Sequence, residues 1–130
     1  MGSLPADYRF TKAKRLLNAK DYSRVFDGAE AKASHKHLLL LAKTNSEPGH
    51  RLGLVIAKKN IRKAVQRNRV KRIAREVFRQ LPNTDPKLDV VLLARRGLDQ
   101  LENEQISSIL LHQWQKLLRQ TAKPSQNGES

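Results

Sequence analysis

Ten basic side chains crowd the stretch from Lys58 to Arg79: Lys58, Lys59, Arg62, Lys63, Arg67, Arg69, Lys71, Arg72, Arg75 and Arg79. Its one acid is Glu76. Like charges at that density repel one another. Folding alone gives no reason to gather them, whereas a polyanionic partner does. Guanidinium groups offer planar, paired donors to phosphate, and Asn68 among them can donate and accept at a base edge or a 2′-hydroxyl. The chemistry is recognition of nucleic acid, with little in the residue types themselves to choose RNA over DNA. A merely solvated helix face fits less well, because the whole chain has 26 Lys and Arg against 12 Asp and Glu, a net charge of +14.

Catalytic groups are thinly supplied. The acids form no Asp-x-Asp or paired-carboxylate motif of the kind that holds catalytic metals. Glu102 and Glu104 flank a predicted helix start. His35 and His37 would share one face of a strand, but no third ligand accompanies them for a zinc site. Cysteine is absent, which removes disulfides and thiolate sites. There is no glycine-rich phosphate loop. No catalytic and no metal-binding residue is assigned, and a self-sufficient nuclease is not expected.

The elements that must position the basic residues follow from periodicity. Val70, Ile73, Ala74, Val77, Phe78 and Leu81 share one helical face, and Asn68, Arg69, Lys71, Arg72, Arg75 and Arg79 are read on the other. Glu76 lies four residues after Arg72, where it would support the helix. Ile61, Ala64 and Val65 fall on the basic side of that wheel. The first turn therefore either packs differently or is a loop-like lead-in, with the change of phase at Arg67-Asn68-Arg69. Pro82 ends the helix.

Ahead of this stretch, Asn18 and Gly28 bracket a short helix as N-cap and C-cap. Tyr22, Val25 and Phe26 fall on one of its faces, which by spacing alone reads as core. Ala31–Ser34, His37–Lys43 and Arg51–Ala57 read as strands, the last two joined by the turn cluster Asn45-Ser46-Glu47-Pro48-Gly49 into an antiparallel hairpin. Leu88–Ala94 is apolar enough for a strand buried on both faces. Strand, helix, strand implies a crossover and a parallel pair. A last helix is predicted from Asn103, as N-cap, through Ile106, Ile109, Leu110, Trp114, Leu117 and Leu118. The fold class is α/β, one domain over residues 1–120. Residues 1–9 form an irregular basic arm and 121–130 a tail predicted to be disordered. No apolar run approaches the roughly 18 residues of a spanning helix, and the N-terminus lacks an apolar leader, so a cytoplasmic protein is expected. A membrane-surface role would need bulky apolar residues beside the basic face, and those are committed to the core.

Lys58-Lys59, followed by Arg67-Asn68-Arg69-Val70-Lys71-Arg72-Ile73-Ala74-Arg75-Glu76-Val77-Phe78, resembles the signature of the bacterial ribonuclease P protein subunit. The strand Arg51-Leu52-Gly53-Leu54-Val55-Ile56-Ala57 is similar too. So are Leu16-Leu17 with Tyr22, Val25 and Phe26, and Asp89-Val90-Val91-Leu92-Leu93-Ala94-Arg95. The match runs in order from about Phe10 to Leu118. The resemblance implies the order αβββαβα in a mixed sheet with a left-handed βαβ crossover, where sequence physics alone would predict a right-handed one.

The resemblance further implies an endoribonuclease that works as a ribonucleoprotein. Its catalytic RNA carries the active site and binds Mg²⁺, and the protein assists removal of the 5′ leader from precursor tRNA. By position, Arg67, Asn68, Arg69, Lys71, Arg72 and Arg75 are implied to contact the catalytic RNA. Tyr22 and Phe26 are implied to line a cleft for the single-stranded leader, which replaces the core reading of these rings, with Lys58 and Lys59 beside it. Tyr22 departs from the Phe usual there, and Leu38–Leu41 supplies no aromatic on the cleft strand. The implied partners are the catalytic RNA and precursor tRNA, with no membrane and no small-molecule substrate. The alternative from another class is a structural RNA-binding protein such as a ribosomal component.

Overall fold

A computed structural model of the 130-residue chain describes residues 14–122, Leu17 excepted. The predicted arm at residues 1–9 and the tail beyond Ala122 lie outside them. The elements are α1 (Ala19–Gly28), β1 (Ala31–Ser34), β2 (Leu38–Thr44), β3 (Arg51–Val55), α2 (Ala64–Arg79), β4 (Leu88–Ala94) and α3 (Asn103–Ala122), with a 3-10 turn at Leu98–Gln100. This is the expected order αβββαβα, in a mixed four-stranded sheet.

The strands stand in the order β1-β2-β4-β3. The expected hairpin between β2 and β3 is not formed. β4 lies between them, antiparallel to β2 and parallel to β3. The reason is burial: all of β4 is buried except the partly buried Leu93, so it takes an inner place with a neighbour on each side. The segment after β2 then has to pass the start of β4. Asn45 fastens it there through Nδ2 to Asp89 Oδ1 at 2.7 Å and to the Gly49 carbonyl at 3.4 Å.

That arrangement leaves β3 on an edge, where unpaired backbone groups invite aggregation. The chain ahead of α1 covers part of it: Leu16 N–H donates to the Leu52 carbonyl at 3.0 Å, and Arg15 bridges Leu52 in parallel. β3 also ends two residues earlier than expected, because Ala57 accepts from Asn60 and Ile61 N–H and turns the chain away.

One face of the sheet packs on α2 and α3. Leu38, Leu40, Leu52, Leu88, Val90 and Leu92 meet Val70, Ile73, Phe78, Ile106, Leu110, Trp114 and Leu117 there. α1 lies on the other face over a smaller cluster of Leu16, Val25 and Val91. Full burial of Val25 is worth roughly 1.5–3 kcal/mol, which a ten-residue helix needs from packing.

The helix ends refine the sequence reading. Asn18 caps α1, its side chain accepting from Asp21 N–H at 3.0 Å. Gly28 is the last residue of α1 rather than a left-handed cap, and Gly97 is the one positive-φ residue among those described. α2 starts at Ala64, so the first turn of the basic stretch is helical. It points outward, with Val65 73% exposed, while Ile61 ahead of it is fully buried. α3 begins at Asn103, but the residue before it serves as cap: Gln105 Oε1 accepts from Glu102 N–H at 2.8 Å, and Glu102 O accepts from Ile106 N–H. It runs to Ala122, two residues past the expected end of the domain. No helix among the described residues is long and apolar enough to cross a membrane.

Candidate nucleic-acid interface

α2 divides its basic residues into two groups. Arg67 and Arg69 turn back into the protein. Arg67 Nη1 donates to the carbonyls of Ile61 at 3.0 Å and Arg62 at 2.8 Å, which closes the turn ahead of the helix. Arg69 Nε donates to Gln66 Oε1 at 2.9 Å, Nη1 to Asn103 Oδ1, and Nη2 to the Asp99 and Leu101 carbonyls at 3.0 Å each. The amide of Asn103, expected as a cap, is thus half of a clasp between α2 and the start of α3.

The second group faces out. Asn68 and Arg72 are exposed, and Lys71 and Arg75 are half-buried. None of these four makes a hydrogen bond or ion pair within the described residues, and Arg75 Nε is buried with no acceptor from the protein. Arg79 is different: it pairs with Glu76 at 2.5 Å, so Glu76 serves Arg79 rather than Arg72. That hydrogen bond holds the Glu76 carboxyl below its usual range. The outward face is a row of donors without internal acceptors, set on a helix whose opposite side seals the core. Such a row suits successive phosphates.

The second candidate region lies under α1. Cross-strand register puts Leu39, Leu93 and Val55 in one row on the α1 face, all half-buried. Tyr22 sits over Gly53 on the same face, and its hydroxyl accepts from Leu54 N–H at 3.1 Å. Phe26, one turn on, is 43% exposed. Val25 between them is buried, so the predicted single aromatic face is divided: Val25 anchors the helix, Tyr22 is half-seated, and Phe26 leaves a ring available. An aliphatic floor with two aromatic rings at one wall can receive unpaired bases.

α1 is held on the sheet by a group that sequence reasoning did not single out. Asp89, fully buried, accepts from Arg51 Nε at 2.8 Å and Nη2 at 2.7 Å, from Arg24 Nη2 at 2.7 Å and from Asn45 at 2.7 Å. Burial pushes its carboxyl up. The hydrogen bonds from Arg51, Asn45 and Arg24 outweigh that and hold it below its ordinary value. The available signal was one acid inside an otherwise apolar strand.

Lys58 and Lys59 are exposed in the turn after β3. Asn60 fastens this turn to the end of β4 through the Ala94 carbonyl at 3.0 Å. Lys59 lines a recess at the N-terminal end of α2, whereas Tyr22 and Phe26 belong to the α1 side. His35 and His37 stand 5.7 Å apart, and His35 Nδ1 accepts from His37 N–H at 3.0 Å. Burial, with His37, Lys116, His112 and Arg95 nearby, pushes the His35 imidazole down. Among the described residues no group of three or more His, Asp or Glu side chains is placed to hold a metal ion.

The sequence model of the family described as Ribonuclease P matches residues 10–118. The ribonuclease P protein component of Pseudomonas aeruginosa PAO1 is 48% identical over 110 residues, covering 85% of this chain and 82% of that one. Its counterpart in Marinobacter nauticus is 47% identical over 108 residues, covering 83% and 81%. Among solved structures, the Staphylococcus aureus RNase P protein superposes with a TM-score of 0.71 at 28% identity, covering 80% of this chain and 94% of that one. The Thermotoga maritima RNase P protein gives 0.64 at 26%, covering 75% and 92%.

Proposed function

The chain belongs to the ribonuclease P protein family and is a subunit of ribonuclease P, and we propose that it binds the catalytic RNA through the outward face of α2. Asn68, Lys71, Arg72 and Arg75 supply the contacts. Arg67 and Arg69 hold the helix and its neighbours in the shape that presents them. The single observation that carries this reading is that Lys71, Arg72 and Arg75 have no partner among the described residues, on a helix whose other face is committed to the core.

The 5′ leader of precursor tRNA lies in the cleft of Tyr22, Phe26, Leu39, Leu93 and Val55. Ring faces stack on unpaired bases with little regard to sequence, at roughly 1–3 kcal/mol per base. Lys58, in the turn after β3, adds charge for a backbone leaving the cleft.

Hydrolysis belongs to the RNA in this proposal. Among the described residues no group of His, Asp and Glu side chains is arranged for a protein-held Mg²⁺ site, and the proposal assigns the ion to the RNA and gives no protein group a catalytic step. The protein contributes binding and orientation. Its cations also neutralise phosphate, which lowers the Mg²⁺ concentration the RNA needs. The test is cleavage of precursor tRNA by a bacterial ribonuclease P RNA at low Mg²⁺, with and without this protein, and with the protein alone. Cleavage at the mature 5′ end that needs both components is expected. Cleavage by the protein alone would overturn the assignment of chemistry to RNA. Tight, salt-sensitive RNA binding without stimulation would favour a structural RNA-binding protein.

A further inference from the structure

Strand register lays out the α1 side of the sheet in rows. Lys43, Asp89 and Arg51 form the first row, Leu41, Val91 and Gly53 the second, and Leu39, Leu93 and Val55 the third. At about 3.3 Å per residue, roughly 13 Å separates the first row from the third. α1 covers the second row: Val25 packs on Val91, and Tyr22 rests over Gly53. The third row is the half-buried floor of the cleft. The position of α1 along the strands therefore decides how much of that floor stays open.

Apolar contact does little to fix that position. Burial of Val25 holds α1 to the sheet, but it is non-directional. The first row supplies direction. Each oxygen of the buried Asp89 carboxylate accepts two hydrogen bonds, Oδ1 from Asn45 Nδ2 and Arg51 Nε, and Oδ2 from Arg51 Nη2 and Arg24 Nη2. Arg51 belongs to the sheet and Asn45 to the loop beside it. Of the three donor residues, Arg24 alone comes from α1, at 2.7 Å. Asp21, one turn earlier on α1, adds a longer contact to Arg51 at 3.9 Å. A charge-assisted hydrogen bond is short and angular, so it sets where the helix lies. An apolar residue at position 89 would fill a buried strand without the desolvation a carboxylate brings. What the carboxylate adds is a fixed place for α1.

We propose that Arg24, through Asp89, is a positioning residue for the 5′ leader: the pair anchors α1 towards the first row and so keeps the third row and the ring of Phe26 open to unpaired bases. The inference rests on the leader cleft proposed above. The Arg24 guanidinium is turned onto Asp89, so it acts through the position of the helix and not by contact with the RNA.

The test uses holoenzyme assembled from the full chain and a bacterial ribonuclease P RNA. Affinities for leader-bearing precursor and for mature tRNA are measured across a salt series, for the wild type and Arg24→Gln. Asp89 keeps three of its four hydrogen bonds in this variant, and the Arg24 side chain is 39% exposed. The chain should therefore stay folded, with its unfolding temperature lowered by no more than about 5 °C. Precursor should bind roughly fivefold more weakly, with mature tRNA unchanged and the salt slope for precursor unchanged. In a Tyr22→Leu, Phe26→Leu background, Arg24→Gln should add no further loss, because it acts through the same wall. Arg24→Lys keeps a charge beside Asp89 and should lose less than Arg24→Gln. Equal losses for precursor and mature tRNA would overturn the inference, leaving Arg24 a general structural residue. A precursor slope smaller by about 0.7 would overturn it by making Arg24 a direct phosphate contact. Fully additive losses in the leucine background would overturn it by separating Arg24 from the rings. An unchanged preference for precursor in Arg24→Gln, with the wild type still preferring precursor, would overturn the anchor and leave the cleft standing. A wild type with no preference for leader-bearing precursor would remove the cleft, and the anchor with it.

Discussion

A β-carbon on Gly53 would lie 2.7 Å from Cε2 of Tyr22, so the ring of Tyr22 rests on bare backbone. Its hydroxyl accepts from Leu54 N–H at 3.1 Å. Ring and hydroxyl therefore have separable jobs. Tyr22→Phe should keep the ring in place and lose about 0.5–1.5 kcal/mol of stability with the lost hydrogen bond. Its precursor binding should match the wild type. Gly53→Ala should cost about 1–3 kcal/mol by overpacking and should also weaken precursor binding, because it lifts the ring out of the cleft. Chemical denaturation and precursor affinity, measured on both variants, check the separation. Equal effects of the two on binding would mean that the hydroxyl, not the ring position, governs the cleft.

Phe26 gives the cleaner test of stacking. At 43% exposed it contributes little to the core. Phe26→Leu should leave thermal stability within about 0.5 kcal/mol of the wild type, as for ordinary surface changes. Affinity for leader-bearing precursor should fall about fivefold or more, the scale of one stacked base, while mature tRNA is unaffected. Tyr22→Leu with Phe26→Leu should deepen the difference. Parallel losses for both RNAs would make the aromatics structural.

His50 ties stability to pH. It is buried against the edge of Trp114, 4.9 Å between ring centres, and its Nδ1 accepts from Leu88 N–H at 3.0 Å. Burial, then the nearby Lys87, push its pKa down to about 4. The folded state therefore holds the neutral ring while the unfolded chain takes up a proton near its ordinary value of ~6.5. The stabilisation is complete above that value and is lost as pH falls from there towards 4. The span corresponds to roughly 3 kcal/mol. His50→Gln should lower stability at neutral pH and flatten this window, leaving the smaller slope from His35, which is shifted the same way. Urea titrations between pH 7 and 4.5 measure it. An undiminished slope in the variant would place the titrating group elsewhere.

Periodicity made the elements legible, because each helix and strand buries one regular stripe: Val70 through Leu81 for α2, and the apolar run of β4. Neighbourhood was harder to read. A short turn between β2 and β3 favours a hairpin locally, but the doubly buried β4 displaces that pairing, and its advantage is visible only when the sheet is complete. The basic stretch was readable as a charge density, not as roles. Arg67, Arg69 and Arg72 are the same residue type within two turns of one helix. What separates them is whether a carbonyl from Ile61, Asp99 or Leu101 stands within reach, and those carbonyls come from other parts of the chain. Asp89 was equally silent, since its partners Arg24, Arg51 and Asn45 are distant in sequence.

The split between Arg69 and Arg72 yields the last prediction. Arg69 supplies three hydrogen bonds across the junction of α2 with the start of α3 and a fourth to Gln66 within α2. Arg69→Ala strips donors from the carbonyls of Asp99 and Leu101 and should cost ~2 kcal/mol or more of stability. Arg69→Lys should recover little, because one ammonium cannot reproduce a planar fork aimed at three residues. Arg72 is exposed and has no partner among the described residues, so Arg72→Ala should leave unfolding unchanged. It should reduce the salt slope for catalytic RNA by about 0.7–0.9, the share of one phosphate contact. Both variants would then impair cleavage at low Mg²⁺, but for different reasons. Excess protein or a stabilising temperature should rescue Arg69→Ala, and raised Mg²⁺ should rescue Arg72→Ala. If Arg69→Ala folds as stably as the wild type and loses only RNA affinity, its guanidinium leaves the clasp to meet the RNA, and the internal hydrogen bonds describe the unbound protein alone.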